Sequence, residues 1–452
     1  MLRTKPRQKI PCQTLANENI FGITCANLQI AGVIMRKLNC VTITCCIFCL
    51  LTMAAVPAPS QTFTSLHSFD NHDGSQPYGP LIQSGGIFYG TTRAGGRHNG
   101  GTVFTITSGG TLTTIYNFCS QGGRKCTDGA APQAGLILGP DRGLYGTTLG
   151  GGTGGGFGTV FQITSSGVLT TLHSFQGSDG ADPLSLVLGT DGNFFGTTSL
   201  GGMGGHICLR NKKYVLNYGT AFKMTPSGSL TTLYSFCSRN NCPDGSQPEA
   251  GLVEGSDGNF YGTTAYGGTG QKPCGGDCGT VFKITPDGVL TTLHKFHSTD
   301  RAIPEAALVQ ASDGNFYGTT FEGGAGAYST GTAFKMTADG VLTTIYTFCS
   351  QGGGNCTDGA NPGSALIQST DGNLYGTTIY YGAHPQGTVF EMTTSGVLTT
   401  LHGFDNTDGA NPMAPLVLGA NGTLYGTTYG GGPMGYGTVF SLSVGLAPFV
   451  KP

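Results

Sequence analysis

Apolar and β-branched residues in this chain fall into runs of six to eight positions, each closed by Gly, Asp, Pro or Ser. No stretch of useful length carries a helical period. Ala250–Ser256, Asn259–Thr264, Gly279–Thr285 and Val289–Phe296 form one set of four such runs. The first and third breaks, Ser256-Asp257-Gly258-Asn259 and Pro286-Asp287-Gly288, have the residues of tight hairpin turns. Within the runs, Phe260, Tyr261, Thr263, Val281, Phe282 and Ile284 give the β-branched and aromatic content of strands. The set predicts a four-stranded antiparallel unit.

That unit recurs. Tyr/Phe-Gly-Thr-Thr starts at Tyr89, Tyr145, Phe195, Tyr261, Tyr317, Tyr375 and Tyr425, which is 336 residues over six intervals and a mean period of 56. Gly-Thr-(Val/Ala)-Phe starts at Gly101, Gly158, Gly219, Gly279, Gly331, Gly387 and Gly437. Seven four-stranded units predict an all-β fold, a seven-bladed β-propeller whose radial closure protects the sheet edges. A solenoid is the competing architecture, but its repeats are usually shorter. The phase of the repeat predicts how the ring closes. The chain enters on a lone fourth strand, Thr62–Phe69, and leaves after three strands, Ala414–Gly419, Thr423–Thr428 and Gly437–Ser443. The first strand is therefore expected to complete the last blade.

A four-stranded meander puts its first and third turns on one face, and its second and interblade connections on the other. The first and third turns are short and uniform, whereas the second connections run from eight residues (Arg93–Gly100) to twenty (Ser199–Tyr218). Variable loops on a rigid scaffold are where binding is usually placed.

Composition narrows the class. Glycine supplies 79 of 452 residues, charged residues are 10%, and the net charge is −2. A near-neutral chain lacks the basic footprint of a nucleic-acid binder. Tryptophan is absent, which removes the usual sugar-stacking residue but leaves 18 Tyr.

The N-terminus reads as processing sequence. Met35-Arg36-Lys37-Leu38-Asn39, an apolar run from Cys40 to Val56, and Ala58-Pro59-Ser60 have the layout of a secretory signal over 35–60, with cleavage before Gln61. Residues 1–34 read as an upstream extension from a mis-assigned start, 61–450 as the propeller, and 451–452 as a tail. The apolar run is short for a membrane span, so none is expected in the mature chain. Cysteine spacing agrees with export. Nine cysteines follow the signal, and eight form close pairs: Cys119 with Cys126, Cys237 with Cys242, Cys274 with Cys278, and Cys349 with Cys356. Such pairs read as local disulfides, with Cys208 left over. Zinc would need a second ligand pair at fixed spacing, which the sequence lacks.

The recurring GTVFKITPDGVLTTLH, the Asp-Gly-Ala-Asn-Pro turns (Asp358–Pro362, Asp408–Pro412) and Ser-Asp-Gly-Asn-Phe-Tyr-Gly-Thr-Thr (Ser256–Thr264, Ser312–Thr320) resemble the bacterial GloVer tandem-repeat proteins, described as having a choice of anchors. The resemblance covers residues 62–450 and implies secretion, surface display and a propeller-like repeat region, with no established activity. Members often continue past a Gly-Leu-x-Pro-Phe-Val segment, here Gly445–Val450, into an Ig-like module or anchor. Here Lys451 and Pro452 follow.

Candidate chemistry is sparse. Asp-Gly before the Pro turn (Asp73, Asp128, Asp179, Asp244, Asp358, Asp408) reads as a turn in which Asp bonds its own backbone. Only Asp70 with Asp73, and Asp405 with Asp408, offer calcium two carboxylates. One fourth-strand slot alternates His67, Tyr116, His173, Tyr234, His294, Tyr346, His402, as expected of duplicated two-blade units. Free exchange of His for Tyr fits a flat ring packed between blades with its polar tip bonded, not a metal ligand. No nucleophile-elbow or zinc-protease motif occurs, and no catalytic residue, metal or cofactor is assigned. Of Glu249, Glu254, Glu305, Glu322 and Glu391, the residues in or beside innermost strands are Glu254 and Glu305, which makes them the candidates for a channel-facing role. Glu391 reads as a solvated strand position. The non-repetitive basic loop places Arg210, Lys212, Lys213 and Tyr214 on the variable face as candidate contacts to an acidic glycan or surface polymer. The reading is a secreted or surface-displayed, monomeric binding module for an extracellular polymer, glycan or protein. The alternative is a carbohydrate-active enzyme with carboxylates at the channel.

Overall fold

The computed structural model describes residues 61–448 except 204–207, 211–212, 216–217, 240, 269–278, 298–301 and 325–328. The predicted signal and upstream extension, Lys212, Cys274 and Cys278 lie outside the described residues.

Seven four-stranded antiparallel sheets form the blades of a β-propeller. Blade 4 is Val253–Glu254, Phe260–Thr264, Thr280–Ile284 and Leu290–Lys295, innermost to outermost. Blades 1, 2, 3, 5 and 6 repeat it, with innermost strands starting at Ile82, Ile137, Ala181, Val309 and Ile367. Blade 7 takes its outer strand from the start of the chain: Thr62–Ser68 pairs antiparallel with Thr438–Ser443, from Thr62 opposite Ser443 to Ser68 opposite Thr438. The N-terminal clasp expected from the repeat phase is present.

The second strand explains why Phe/Tyr-Gly-Thr-Thr recurs. It is buried along its whole length, as in Phe260–Thr264 and Leu374–Thr378. A strand buried on both faces needs apolar or internally satisfied residues at every position. Seven apolar clusters fill the seven blade interfaces from the same slots. Tyr145, Val160 and Phe175 of blade 2 meet Leu186, Phe194, Phe222 and Met224 of blade 3. At the closure Phe69, Tyr425 and Val439 of blade 7 meet Leu81, Phe88 and Phe104 of blade 1. Each buried Phe contributes about 1.5–3 kcal/mol, so the closure is held as the other interfaces are.

The two threonines of the motif carry hydrogen bonds. The second bonds the third strand's first threonine, as in Thr92–Thr102 at 2.8 Å and Thr264–Thr280 at 2.8 Å. The first reaches across to the next blade, donating from Oγ1 to the carbonyl of Ala134 (Thr91, 3.0 Å), Leu184 (Thr147, 2.7 Å) and Ala250 (Thr197, 2.8 Å). These carbonyls belong to the segments that line the centre of the ring.

Candidate site at the channel mouth

Each interblade connection enters its innermost strand through x-Pro-x-small: Gln76-Pro77-Tyr78-Gly79, Ala131-Pro132-Gln133-Ala134, Asp182-Pro183-Leu184-Ser185, Gln247-Pro248-Glu249-Ala250, Ile303-Pro304-Glu305-Ala306, Asn361-Pro362-Gly363-Ser364 and Asn411-Pro412-Met413-Ala414. All seven prolines are buried. Small residues follow because neighbouring segments approach closely at the axis; a Cβ on Gly79 would lie 2.5 Å from the Ala134 backbone. The residue after each proline faces a central cavity of about 330 Å³. That slot holds Tyr78, Gln133, Leu184, Glu249, Glu305, Gly363 and Met413, six residue types in seven blades of an otherwise uniform frame. Asp182, Leu149 and Ser199 add to its wall.

The cavity is electrostatically unusual for this chain. Glu305 is half-buried, and burial, then Glu249 and then Glu322, push its carboxyl up to about 7. Glu249 opens to the cavity, yet the surrounding protein removes enough solvation to raise its carboxyl as well. Burial raises Asp182 too. Tyr78 is raised by burial and by Glu305 and Glu249, against the opposing hydrogen bond from Gln133 and the charge of Arg93. Desolvation disfavours the charged form of an acid, and a neighbouring like charge adds to it. The site therefore offers several acceptors, an amide, a phenol and a carboxyl that exchanges its proton near neutral pH. Among the described residues no three His, Cys, Asp or Glu side chains converge as a metal site.

Of the two carboxylates expected at the channel, Glu305 is there and Glu254 is not. Glu254 closes its strand at the opposite face, where it accepts from the Thr190 backbone N–H and hydroxyl of the preceding blade, the latter at 2.7 Å. Gln83, Gln310 and Gln368 make the same latch, accepting from the backbone of Ala420, Ser256 and Ser312 at 2.7–2.8 Å. The strand's two ends lie on opposite faces of the ring, so membership in an innermost strand did not decide the matter. Glu249, the partner that the structure supplies, sits in the post-proline slot. Aligning the seven repeats on their prolines would have found it. Glu391 accepts from Asn373 Nδ2 at 2.6 Å on the blade surface.

The repeated His, Tyr, Asp and Cys candidates bond one another where they are described. The His/Tyr slot bonds the Asp-Gly aspartate: His67 to Asp73 at 2.6 Å, His173 to Asp179 at 2.8 Å, His402 to Asp408 at 2.7 Å, and Tyr116, Tyr234 and Tyr346 to Asp128, Asp244 and Asp358 at 2.7–2.8 Å. Asp73, Asp128, Asp179, Asp358 and Asp408 also accept local backbone N–H groups, as Asp408 does from Asp405. Cys119–Cys126, Cys237–Cys242 and Cys349–Cys356 are disulfide-bonded in interblade connections. Arg210, Lys213 and Tyr214 lie on a small hairpin, Cys208–Arg210 against Lys213–Val215, within the connection that leaves the cavity wall at Ser199.

The fold is shared with solved propellers at low sequence identity. A streptogramin B lyase matches at a TM-score of 0.54 and 14% identity, over 85% of this chain and 97% of that one. The extracellular domain of a hybrid two-component system from B. thetaiotaomicron matches at 0.53 and 12%, over 84% of this chain and 41% of that one. PorZ, a surface component of the type-IX secretion system of Porphyromonas gingivalis, matches at 0.51 and 13%, over 83% and 48%. No curated protein matches the sequence. The profile of the Gloeobacter/Verrucomicrobia repeat matches four overlapping stretches, residues 55–272, 123–324, 210–357 and 275–447. Those stretches together cover the whole ring, and the chain belongs to the Gloeobacter/Verrucomicrobia repeat family.

Proposed function

We propose that this protein is a secreted or surface-displayed binding module that captures an extracellular glycan, polymer or protein group at the channel mouth. The observation that carries the reading is the post-proline slot. Seven blades share their strand motifs, yet the residue after the proline at the cavity has six identities in seven blades, with Glu in two of them. Packing alone would favour repetition there too, as it does at the blade interfaces. Export is supported by the signal-like segment, by the disulfides, and by the standing of similar propellers as an extracellular domain and a surface component.

One observation favours a second reading. Glu305, with its proton held to about 7 beside a second carboxyl, has the character of a general acid. In a glycosidase it would protonate the leaving oxygen while Glu249 activated water. A screen of glycans and polymers against the mature chain, with reducing sugar measured in parallel, separates the two. Binding without sugar release, weakened in Gln133→Ala or Glu249→Gln, supports the binding module. Sugar release abolished by Glu305→Gln supports the enzyme. Binding that ignores all three substitutions rejects the site.

A further inference from the structure

Blade 6 breaks a rule that the other six obey. After Gly-Thr-Thr, the third residue is Gly95, Gly151, Gly201, Gly267, Gly323 and Gly431 in blades 1–5 and 7, each with φ between 72 and 105°. The geometry is imposed by a shared hydrogen bond, in which this residue's carbonyl accepts from the glycine that opens the third strand, as in Gly101 to Gly95 and Gly437 to Gly431. In blade 6 the residue is Tyr381, with the same bond from Gly387 and a φ of 63°. It is the one aromatic residue with positive φ among the described residues. A Cβ at Gly95, Gly201, Gly267 or Gly431 would lie 2.5–2.8 Å from the backbone of the adjoining turn, so the slot is also crowded. A bulky side chain in the left-handed region is a genuine outlier, and such outliers cluster at ligand clamps.

What the strained backbone holds is an aromatic ring in solvent. Tyr381 is 43% exposed, and its neighbour Tyr380 is 41% exposed. Both stand on the cavity's face of the ring. On the same face blade 7 adds Tyr436, 40% exposed, and Tyr429. Tyr429 meets the cavity residue Tyr78 edge to face, with centroids 6.2 Å apart. Exposed aromatic side chains thus stand on the loops of two consecutive blades on this face, and the blade 7 set reaches the cavity wall where Tyr429 meets Tyr78. An exposed tyrosine has an apolar face and a polar tip, which matches the C–H face and hydroxyl rim of a sugar ring. At about 330 Å³ the cavity is near the lower limit of ligand sites, with room for one ring and not a chain. Glu249 and Glu305 oppose an acidic occupant.

We propose that Tyr381 and Tyr380, continued by Tyr429 and Tyr78, stack successive rings of an uncharged polysaccharide whose terminal sugar enters the cavity. This inference rests on the binding-module reading and names its ligand class. The test is titration of the mature chain with neutral gluco-, manno-, galacto- and xylo-oligosaccharides of one to six units, read by tyrosine fluorescence, which the absence of tryptophan leaves clean. Affinity should rise from monomer to trimer in at least one series. Tyr381→Gly restores the residue of the other six blades, so the fold should be kept; it should lose about tenfold for the trimer and nothing for the monomer. Glu305→Gln should weaken both. Monomer binding that depends on Glu305 without any gain from length overturns the aromatic track and leaves the cavity reading intact. Trimer binding unchanged in Tyr381→Gly overturns the track as well. Failure of every neutral series to bind, or capture of an acidic polymer or a peptide instead, overturns the assigned ligand class.

Discussion

Replacing Glu305 by Gln tests whether the cavity keeps a carboxyl at a cost to the fold. The folded environment raises this group from its ordinary 4.5 to about 7, through burial first, then Glu249 and Glu322. The folded chain therefore binds the proton more tightly than the unfolded chain. The resulting stability is fully present below pH 4.5 and is lost as pH rises through about 7. At 1.36 kcal/mol per pH unit, the displacement sets an upper bound of about 3 kcal/mol. The cavity is open to water, and screening there should reduce the effect to about 1–2 kcal/mol. Denaturant titrations of wild type and Glu305→Gln at constant ionic strength from pH 4 to pH 8 measure it. The variant should gain on wild type by that amount across the range, most of it between pH 4.5 and 7. Glu249→Gln removes one source of repulsion and should move the wild-type window to lower pH. A difference between wild type and Glu305→Gln that stays flat with pH would refute the electrostatic account of the cavity.

Changes at three further places probe the frame around the site. Tyr346→Phe removes the hydroxyl that donates to the fully buried Asp358 and should cost about 1.5 kcal/mol, because Ser350 and Gln351 remain as donors; Tyr346→His, the residue of alternate blades, should recover most of it in thermal melts. Glu254→Ala breaks the latch to Thr190 and should cost about 1 kcal/mol, whereas Glu254→Gln keeps an acceptor and should melt like wild type, with ligand binding unaffected by either. Deleting residues 61–69 removes the clasp strand and the fully buried Phe69, so the melting temperature should fall sharply; a melt superimposable on that of the full chain would count against closure by this strand.

The fold was legible because a long period exposes every strand seven times. Gly-Thr-Thr and Gly-Thr-Val-Phe fix the second and third strands, and the phase of the lone Thr62–Phe69 strand fixes the closure. The hydrogen bonding of Thr91 to Ala134 and its counterparts was not legible, since a β-branched strand residue and an interblade donor look the same in sequence. The site was legible only in part. Glu305 could be named from its place beside an innermost strand, but the same argument named Glu254, because burial near the axis says nothing about which end of a strand a residue occupies. The variation at Tyr78, Gln133, Leu184, Glu249, Glu305, Gly363 and Met413 is present in the repeats, but a position that varies looks in sequence like any solvated loop position. Tyr381 is the same case in miniature. An ordinary tyrosine in sequence becomes an outlier only when six glycines and their left-handed backbones stand beside it.

The central claim is that function resides in the non-repeating residues of one face. Hydrogen–deuterium exchange of the chain from Gln61 onward, with and without its tightest binder from the polymer screen, tests this directly because every blade reports at once. Protection should concentrate on residues 76–80, 131–135, 247–251 and 303–307 and on the 379–386 loop. Protection confined to the opposite face, at the turns around Thr190, Ser256 and Ser312, would contradict the account.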